Sequence, residues 1–141
     1  MKVIELEARL MRYETKIEPR SMVVGDHATW HERGCPTEEV IGPRTYLTPV
    51  DNFADAQLIF LLCPVCFTKN GGAVGTHGLT VSFRDRGCKA DEGVLGPNGV
   101  RIYWAVSGTG LDDITTDPSI LMLAGCHAHF YIRNGEIVLC Q

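Results

Sequence analysis

Two short pairs of metal-ligand residues constrain this chain more than any other feature of its sequence. Cys63 and Cys66 are separated by two residues, and Cys126 and His129 repeat that spacing near the C-terminal end. Two ligands at this spacing can bind one metal ion from a single turn, and two such pairs complete the tetrahedral site that zinc prefers. The sequence therefore predicts a structural zinc ion bound by Cys63, Cys66, Cys126 and His129.

Two other histidines are further candidates for the metal site. His127 competes with His129, but only His129 repeats the two-residue gap of the Cys63 and Cys66 pair. His77 follows in a glycine-rich loop, residues 69–78, and is a candidate as an alternative ligand or as a proton carrier for metal-bound water. Four protein ligands leave no open coordination position, so a zinc hydrolase requires one of the four to be absent.

The remaining cysteines and histidines carry weaker signals. His27, His31 and Cys35 recur every four residues and would share a face if helical, but a glycine and a proline flank them. A second metal site there is a minor alternative. We expect Cys88 and Cys140 to be reduced, partly buried and inert.

The pattern of apolar residues predicts a mainly β fold, with a small α+β fold as the alternative. We expect strands where apolar residues alternate or run together, at 3–10, 58–62, 79–83, 100–106, 130–132 and 136–139. Asn134-Gly135 favours a type I′ turn between the last two. With two metal-binding turns, the expected architecture is zinc-ribbon-like or a related small β-sheet fold.

The length of 141 residues predicts a single domain, 1–141. Within it, residues 1–50 are interpreted as an N-terminal strand followed by an irregular segment, because prolines interrupt 19–49. A helical turn at 37–39 and a brief strand at 44–47 are the expected exceptions. Residues 51–141 form the predicted zinc-binding core, with 107–118 as a polar loop.

Charge and cysteine usage exclude several classes of function. The net charge is −4 and the isoelectric point about 5.7, which argues against general nucleic-acid binding. No apolar run approaches the roughly 20 residues that cross a bilayer, and acidic residues near the N-terminus argue against a signal peptide. In a reducing compartment, the six cysteines favour metal binding over disulfides.

Short segments in the second half of the chain carry a family resemblance: residues 54–57, 60–61, 63–67, 70–72, 75–77, 104–113, 117–120, 125–126, 129 and 134–135. On these segments, which cover roughly residues 54–138, the chain resembles uncharacterised small zinc-binding proteins of tailed phages and prophages. A broader bacterial set shares the CPxC segment, the Pro-Ser-Ile step and the CxxH turn, and some members lie near ubiquitin-like conjugation genes. The resemblance implies a phage or prophage origin and zinc binding, without an assigned activity.

Together these features predict a phage- or prophage-encoded binding or accessory protein stabilised by zinc, rather than an enzyme. A virion component of the capsid or tail is the first alternative, and a zinc-dependent hydrolase using His77 is the second. The expected partner is another protein, with self-association left open. The expected location is the host cytoplasm or the virion, without membrane association or export by a signal peptide.

Overall fold

The computed structural model describes residues 1–23, 37–123 and 125–140, and the chain divides into two compact units. The larger unit consists of Met1–Tyr13 with Thr48–Gln141, and the smaller of Glu14–Leu47. Strands predominate, which confirms the predicted mainly β class. No helix in the described part of the chain is long and apolar enough to span a membrane.

The described strands and the α-helix have these bounds: β1 Arg9–Val23, β2 Thr37–Pro49, β3 Leu58–Leu62, α1 Pro64–Asn70, β4 Gly78–Ser82, β5 Val94–Leu95, β6 Arg101–Ile102, β7 Ala105–Ser107, β8 Thr115–Asp117, β9 Ile120–Leu121, β10 His129–Arg133 and β11 Glu136–Leu139. Two 3₁₀ helices, Val3–Leu6 and Phe53–Asp55, precede β1 and β3. The sheets have strand orders β2-β1-β3-β4, β11-β10-β9, β5-β6 and β7-β8.

The central strand of the larger unit is β3, which confirms the buried strand predicted at 58–62. It pairs antiparallel with β1 on one side and β4 on the other. Four of its five residues are buried, because both faces of the strand are covered. This explains why its sequence is a continuous apolar run rather than an alternating one.

The C-terminal hairpin also matches its sequence signal. Strands β10 and β11 pair antiparallel from Phe130↔Leu139 to Arg133↔Glu136. Asn134 and Gly135 between them both have positive φ, 49° and 75°, as a type I′ turn requires. On its other edge β10 pairs with β9, which places the segment after Cys126 in a three-stranded sheet.

The N-terminal segment differs from the prediction of a strand at 3–10. Val3 and Leu6, three residues apart, are fully buried, whereas Ile4 is 49% exposed. That spacing suits a 3₁₀ helix, in which side chains three apart lie above one another. Glu7, with a φ of 53°, ends the helix, and β1 begins at Arg9.

The smaller unit contains the distal parts of β1 and β2, where an irregular segment was predicted. The side-chain hydroxyls of Thr15 and Thr45 are hydrogen-bonded at 3.1 Å, and the Tyr46 hydroxyl donates a hydrogen bond to Glu18. The prolines of this region favoured the prediction of an irregular segment. The helical turn expected at 37–39 is wrong as well, because these residues begin β2. β2 is the edge strand of its sheet, so one of its sides has no neighbouring strand to hydrogen-bond with. Proline, which lacks an N–H, is tolerated in such a strand.

Two further differences bear on the functional site. The predicted strand 100–106 is divided into β6 and β7, and the interruption contains Trp104, which forms a parallel bridge with Phe83 directly after β4. The predicted polar loop 107–118 contains β8, which pairs with β7 from Ala105↔Asp117 to Ser107↔Thr115. Ile114 just before β8 is fully buried, so this segment is part of the core.

Candidate functional site

Four ligand-type side chains from three segments meet in one cluster. Their ligand atoms, the sulfurs of Cys63, Cys66 and Cys126 and a ring nitrogen of His77, all lie within 4.8 Å of one another. Cys63 is the N-cap of α1 and Cys66 lies in its first turn, because Pro64 starts the helix where a missing N–H costs nothing. Cys126 comes from the β9–β10 connection. The arrangement can bind a metal ion.

The interatomic distances fit a tetrahedral zinc site. Zinc–sulfur bonds of about 2.3 Å at tetrahedral angles place two sulfurs about 3.8 Å apart, and a sulfur and an imidazole nitrogen about 3.6 Å apart. The Cys63 and Cys126 sulfurs are 3.5 Å apart, and His77 Nε2 is 3.4 Å from the Cys126 sulfur. A sulfur separation of 3.5 Å is too long for a disulfide bond, and these cysteines are free.

The two partly exposed thiols of the cluster, Cys66 and Cys126, differ in acidity. The hydrogen bond with His77 is the main cause that lowers the pKa of Cys126 to about 7. Desolvation and the neighbouring thiols raise the pKa of Cys66 to about 11. Cys126 therefore loses its proton more readily than Cys66.

The structure places the predicted ligands as follows. Cys63, Cys66 and Cys126 are together, and the histidine that accompanies them is His77, a further candidate in the sequence. His127 is exposed with a φ of 53° and is not in the cluster, and neither is His129. The weaker set of His27, His31 and Cys35 lies outside the described residues.

His129 instead forms a pair with a serine. Its Nε2 atom lies 2.8 Å from the Oγ atom of Ser119, within hydrogen-bond distance. Both residues are partly exposed, so another molecule can reach them from solvent. The two residues are ten positions apart, and the fold brings them together across β9 and β10.

Ser119 is positioned by the short step between β8 and β9. Its backbone carbonyl accepts a hydrogen bond from the Trp104 indole at 3.2 Å. The Trp104 ring is nearly buried, and its own backbone N–H donates to Ser82 at the end of β4. The next residue, Ile120, is 3% exposed and packs in the core. The serine is therefore positioned by a hydrogen bond to the nearly buried Trp104 and by its chain neighbour Ile120 in the core.

His129 is positioned by the first pair of the β9–β10 ladder. It lies opposite Leu121, and its neighbour Phe130 is fully buried. The connection between these strands is closed by a hydrogen bond from the Met122 N–H to the Ala128 carbonyl at 2.8 Å. Cys126 lies in the same connection, three residues before His129. One member of the metal-binding cluster, Cys126, and one member of the Ser-His pair, His129, thus lie on the same hairpin.

A serine hydroxyl hydrogen-bonded to an imidazole is the arrangement of a nucleophile with its general base. The imidazole can take the proton of the hydroxyl as the oxygen attacks a carbonyl carbon. Among the described residues, no carboxylate hydrogen-bonds to the other ring nitrogen of His129. The geometry is that of a Ser-His dyad.

Sequence reasoning missed Ser119 as a functional residue. It is part of the Asp117-Pro118-Ser119-Ile120 segment that carries the phage-protein resemblance, but no flanking glycine pattern marks it as a nucleophile. The CxxH spacing also assigned His129 to the metal. Only the pairing of β9 with β10 brings this histidine to the serine.

Comparison with known proteins supports a different class of function from the one that the sequence predicted. Residues 80–140, somewhat less than half of the chain, match the family model of the bacterial ubiquitination-like system serine protease (BubE). No curated protein and no solved structure matches the chain.

Because the family match names a serine protease, the prediction of a phage binding or accessory protein, with a virion component as its alternative, is wrong. A serine protease is also more specific than the zinc-dependent hydrolase that was the other alternative. The matched segment of this chain, which contains both Ser119 and His129, is similar to a serine protease family.

Proposed function

We propose that this protein is a serine protease of a bacterial ubiquitination-like system, with Ser119 as the nucleophile and His129 as the general base. The single observation that carries the proposal is the 2.8 Å contact between Ser119 Oγ and His129 Nε2. The family match to residues 80–140 supports it independently, because its description names a serine protease.

The two side chains can supply the nucleophile and the general base of an acyl-transfer cycle. Ser119 Oγ attacks the carbonyl carbon of an amide bond while His129 Nε2 accepts the hydroxyl proton. The tetrahedral intermediate then breaks the C–N bond, and the imidazolium gives its proton to the departing amine. Water attacks the resulting ester with His129 again as the base. This second step releases the carboxylic acid and restores the serine hydroxyl.

We further propose that the Cys-His cluster binds zinc through Cys63, Cys66, His77 and Cys126. A mixed set of three sulfurs and one imidazole suits zinc, and four protein ligands make the site structural. Its contribution is to fix Cys126, and with it the β9–β10 connection that precedes His129. The chemistry remains with the serine and the histidine.

The substrates that this proposal implies are proteins of the same system. A serine protease in a ubiquitination-like system acts on amide bonds, either in a precursor or in a conjugate, so the partners are protein chains. We place its action in the bacterial cytoplasm, where a reducing environment keeps the cluster cysteines available for metal.

Amide hydrolysis by single variants tests the proposal. The probes are a library of fluorogenic peptide amides and a bacterial ubiquitin-like modifier whose C-terminus carries an aminocoumarin amide. We expect Ser119→Ala and His129→Gln each to lower kcat/KM by at least about 1,000-fold, because the two residues act as a unit. Ser107→Ala, which changes an exposed serine of β7, is the matched control and should retain full activity. Undiminished hydrolysis by Ser119→Ala would refute the proposal.

A further inference from the structure

An apolar pocket of about 230 Å³ is lined in part by Ile120, the residue that follows the serine in the chain. Its walls come from β4, β5 and β9, together with Met122 and the ring of Trp104. None of its lining residues carries a charge, and two of them, Val94 and Leu121, are partly or half exposed at its rim. Exposed apolar side chains around a concave site are a common sign of a ligand.

Three lining residues connect the pocket to the Ser-His pair through the chain, a hydrogen bond and a strand pairing. Ile120, one of its lining residues, directly follows Ser119 in the chain, and Trp104 lines the pocket while its indole N–H binds the Ser119 carbonyl. Leu121, another lining residue, lies opposite His129 in the β9–β10 ladder. A chain held with its carbonyl at Ser119 would therefore have a neighbouring side chain at the mouth of the pocket.

Resting on the proposed function, we infer that this pocket is a substrate subsite for one apolar side chain of a residue flanking the scissile bond. A cavity of about 150 Å³ lined by such side chains holds a benzene molecule, so the present volume accommodates a leucine, methionine or phenylalanine side chain. A charged side chain would lose its water there without gaining a partner.

The strands around the pocket also suit an extended peptide. In the described sheets, β4 and β9 are each the last strand in their order, so each has one edge without a neighbouring strand. Among the described strands, none pairs with the outer edge of residues 78–80 of β4, and these residues line the pocket. Extended peptides bind such edges through main-chain hydrogen bonds while alternate side chains enter pockets.

Cleavage of a peptide library tests the subsite. Fluorogenic peptides vary one position at a time on either side of the cleaved bond. At one flanking position we expect leucine or methionine to give a kcat/KM about 10- to 100-fold above aspartate. In Leu121→Asp the preferred residue at this position should change from leucine or methionine to lysine, with at least a tenfold change in the ratio of their kcat/KM values. Leu139→Asp, which changes an exposed leucine of β11 outside the pocket, is the matched control and should leave the preference unchanged.

A binding measurement separates this inference from the proposed function. The indole N–H signal of Trp104 is followed by NMR while Ser119→Ala is titrated with leucine- and aspartate-containing peptides. Cleavage without an apolar preference, or a preference unaffected by Leu121→Asp, overturns the subsite and leaves the protease intact. Apolar peptides that shift the Trp104 signal when the wild-type protein shows no hydrolysis would refute the protease and the substrate subsite, and leave a pocket that only binds apolar peptides. Neither cleavage nor a shift overturns both.

Discussion

Replacing His77 and His129 separately by alanine distinguishes the two sites that share the β9–β10 hairpin. His77 Nε2 lies 3.4 Å from the Cys126 sulfur, close to the about 3.6 Å expected between two ligands of one zinc ion. His129 instead contacts Ser119. We therefore expect His77→Ala to lose stoichiometric zinc, and His129→Ala to keep one zinc per chain while losing hydrolysis.

The expected loss of stability follows from the linkage between binding and folding. At a free zinc concentration 100 times the dissociation constant, a metal that binds only the folded state stabilises it by about 2.7 kcal/mol. For a chain of this size that corresponds to a Tm shift of roughly 5–11 °C. A chelator should therefore lower the Tm of the wild type and of His129→Ala by this amount, and have little effect on His77→Ala.

Metal analysis by mass spectrometry and thermal unfolding with and without chelator provide the readings. Both variants are purified without added zinc and compared with His127→Ala, which changes an exposed histidine outside the cluster and should behave as the wild type. Loss of zinc from His129→Ala together with its full retention by His77→Ala would refute this assignment and restore the ligand set that spacing alone predicted.

Three further predictions concern the fold around the site. Gly135→Ala should destabilise the protein by roughly 2–3 kcal/mol in chemical denaturation, because φ is 75° and a Cβ atom would clash with a backbone carbonyl. In the control Gly110→Ala, the added Cβ atom has no other atom within 4 Å, so we expect a small effect. Backbone and side-chain hydrogen bonds from Thr109 lower the pKa of Asp113. The ionised Asp113 therefore stabilises the protein fully above the ordinary aspartate pKa of about 3.9, and this stabilisation is lost as the pH falls through the lowered pKa. Asp113→Asn should make the free energy of unfolding less dependent on pH in this range. An unchanged pH dependence would contradict this. Desolvation raises the pKa of Cys88, so a thiol reagent at pH 7 should modify it more slowly than free cysteine, and equal rates would contradict its burial.

The parts of the fold that the sequence predicts are those with strong local signals. The run 58–62 is apolar enough to require burial on both faces, and Asn134-Gly135 can adopt positive φ at little cost, so β3 and the β10–β11 hairpin follow from short stretches of sequence. The proline-containing strand β2 does not, because its tolerance of proline depends on its place at a sheet edge.

The candidate site shows the same division between local and long-range information. The spacing of Cys63 and Cys66 identifies a metal-binding turn because both ligands lie on one turn of chain. The histidine that joins them comes from another loop, eleven positions beyond Cys66, and the spacing of Cys126 and His129 carries no information about it. Ser119 and His129 meet only through strand pairing, which periodicity does not encode.

Covalent labelling of the serine tests the central claim most directly. A fluorophosphonate reacts with a serine only when a neighbouring base activates the hydroxyl, and peptide mapping identifies the modified residue. We predict one label per chain, on Ser119, with labelling at least about 100-fold slower in His129→Gln, since a general base contributes 10²–10⁴ in rate. Folded, zinc-containing protein that is not labelled at Ser119, or that is labelled equally fast without His129, would contradict the account.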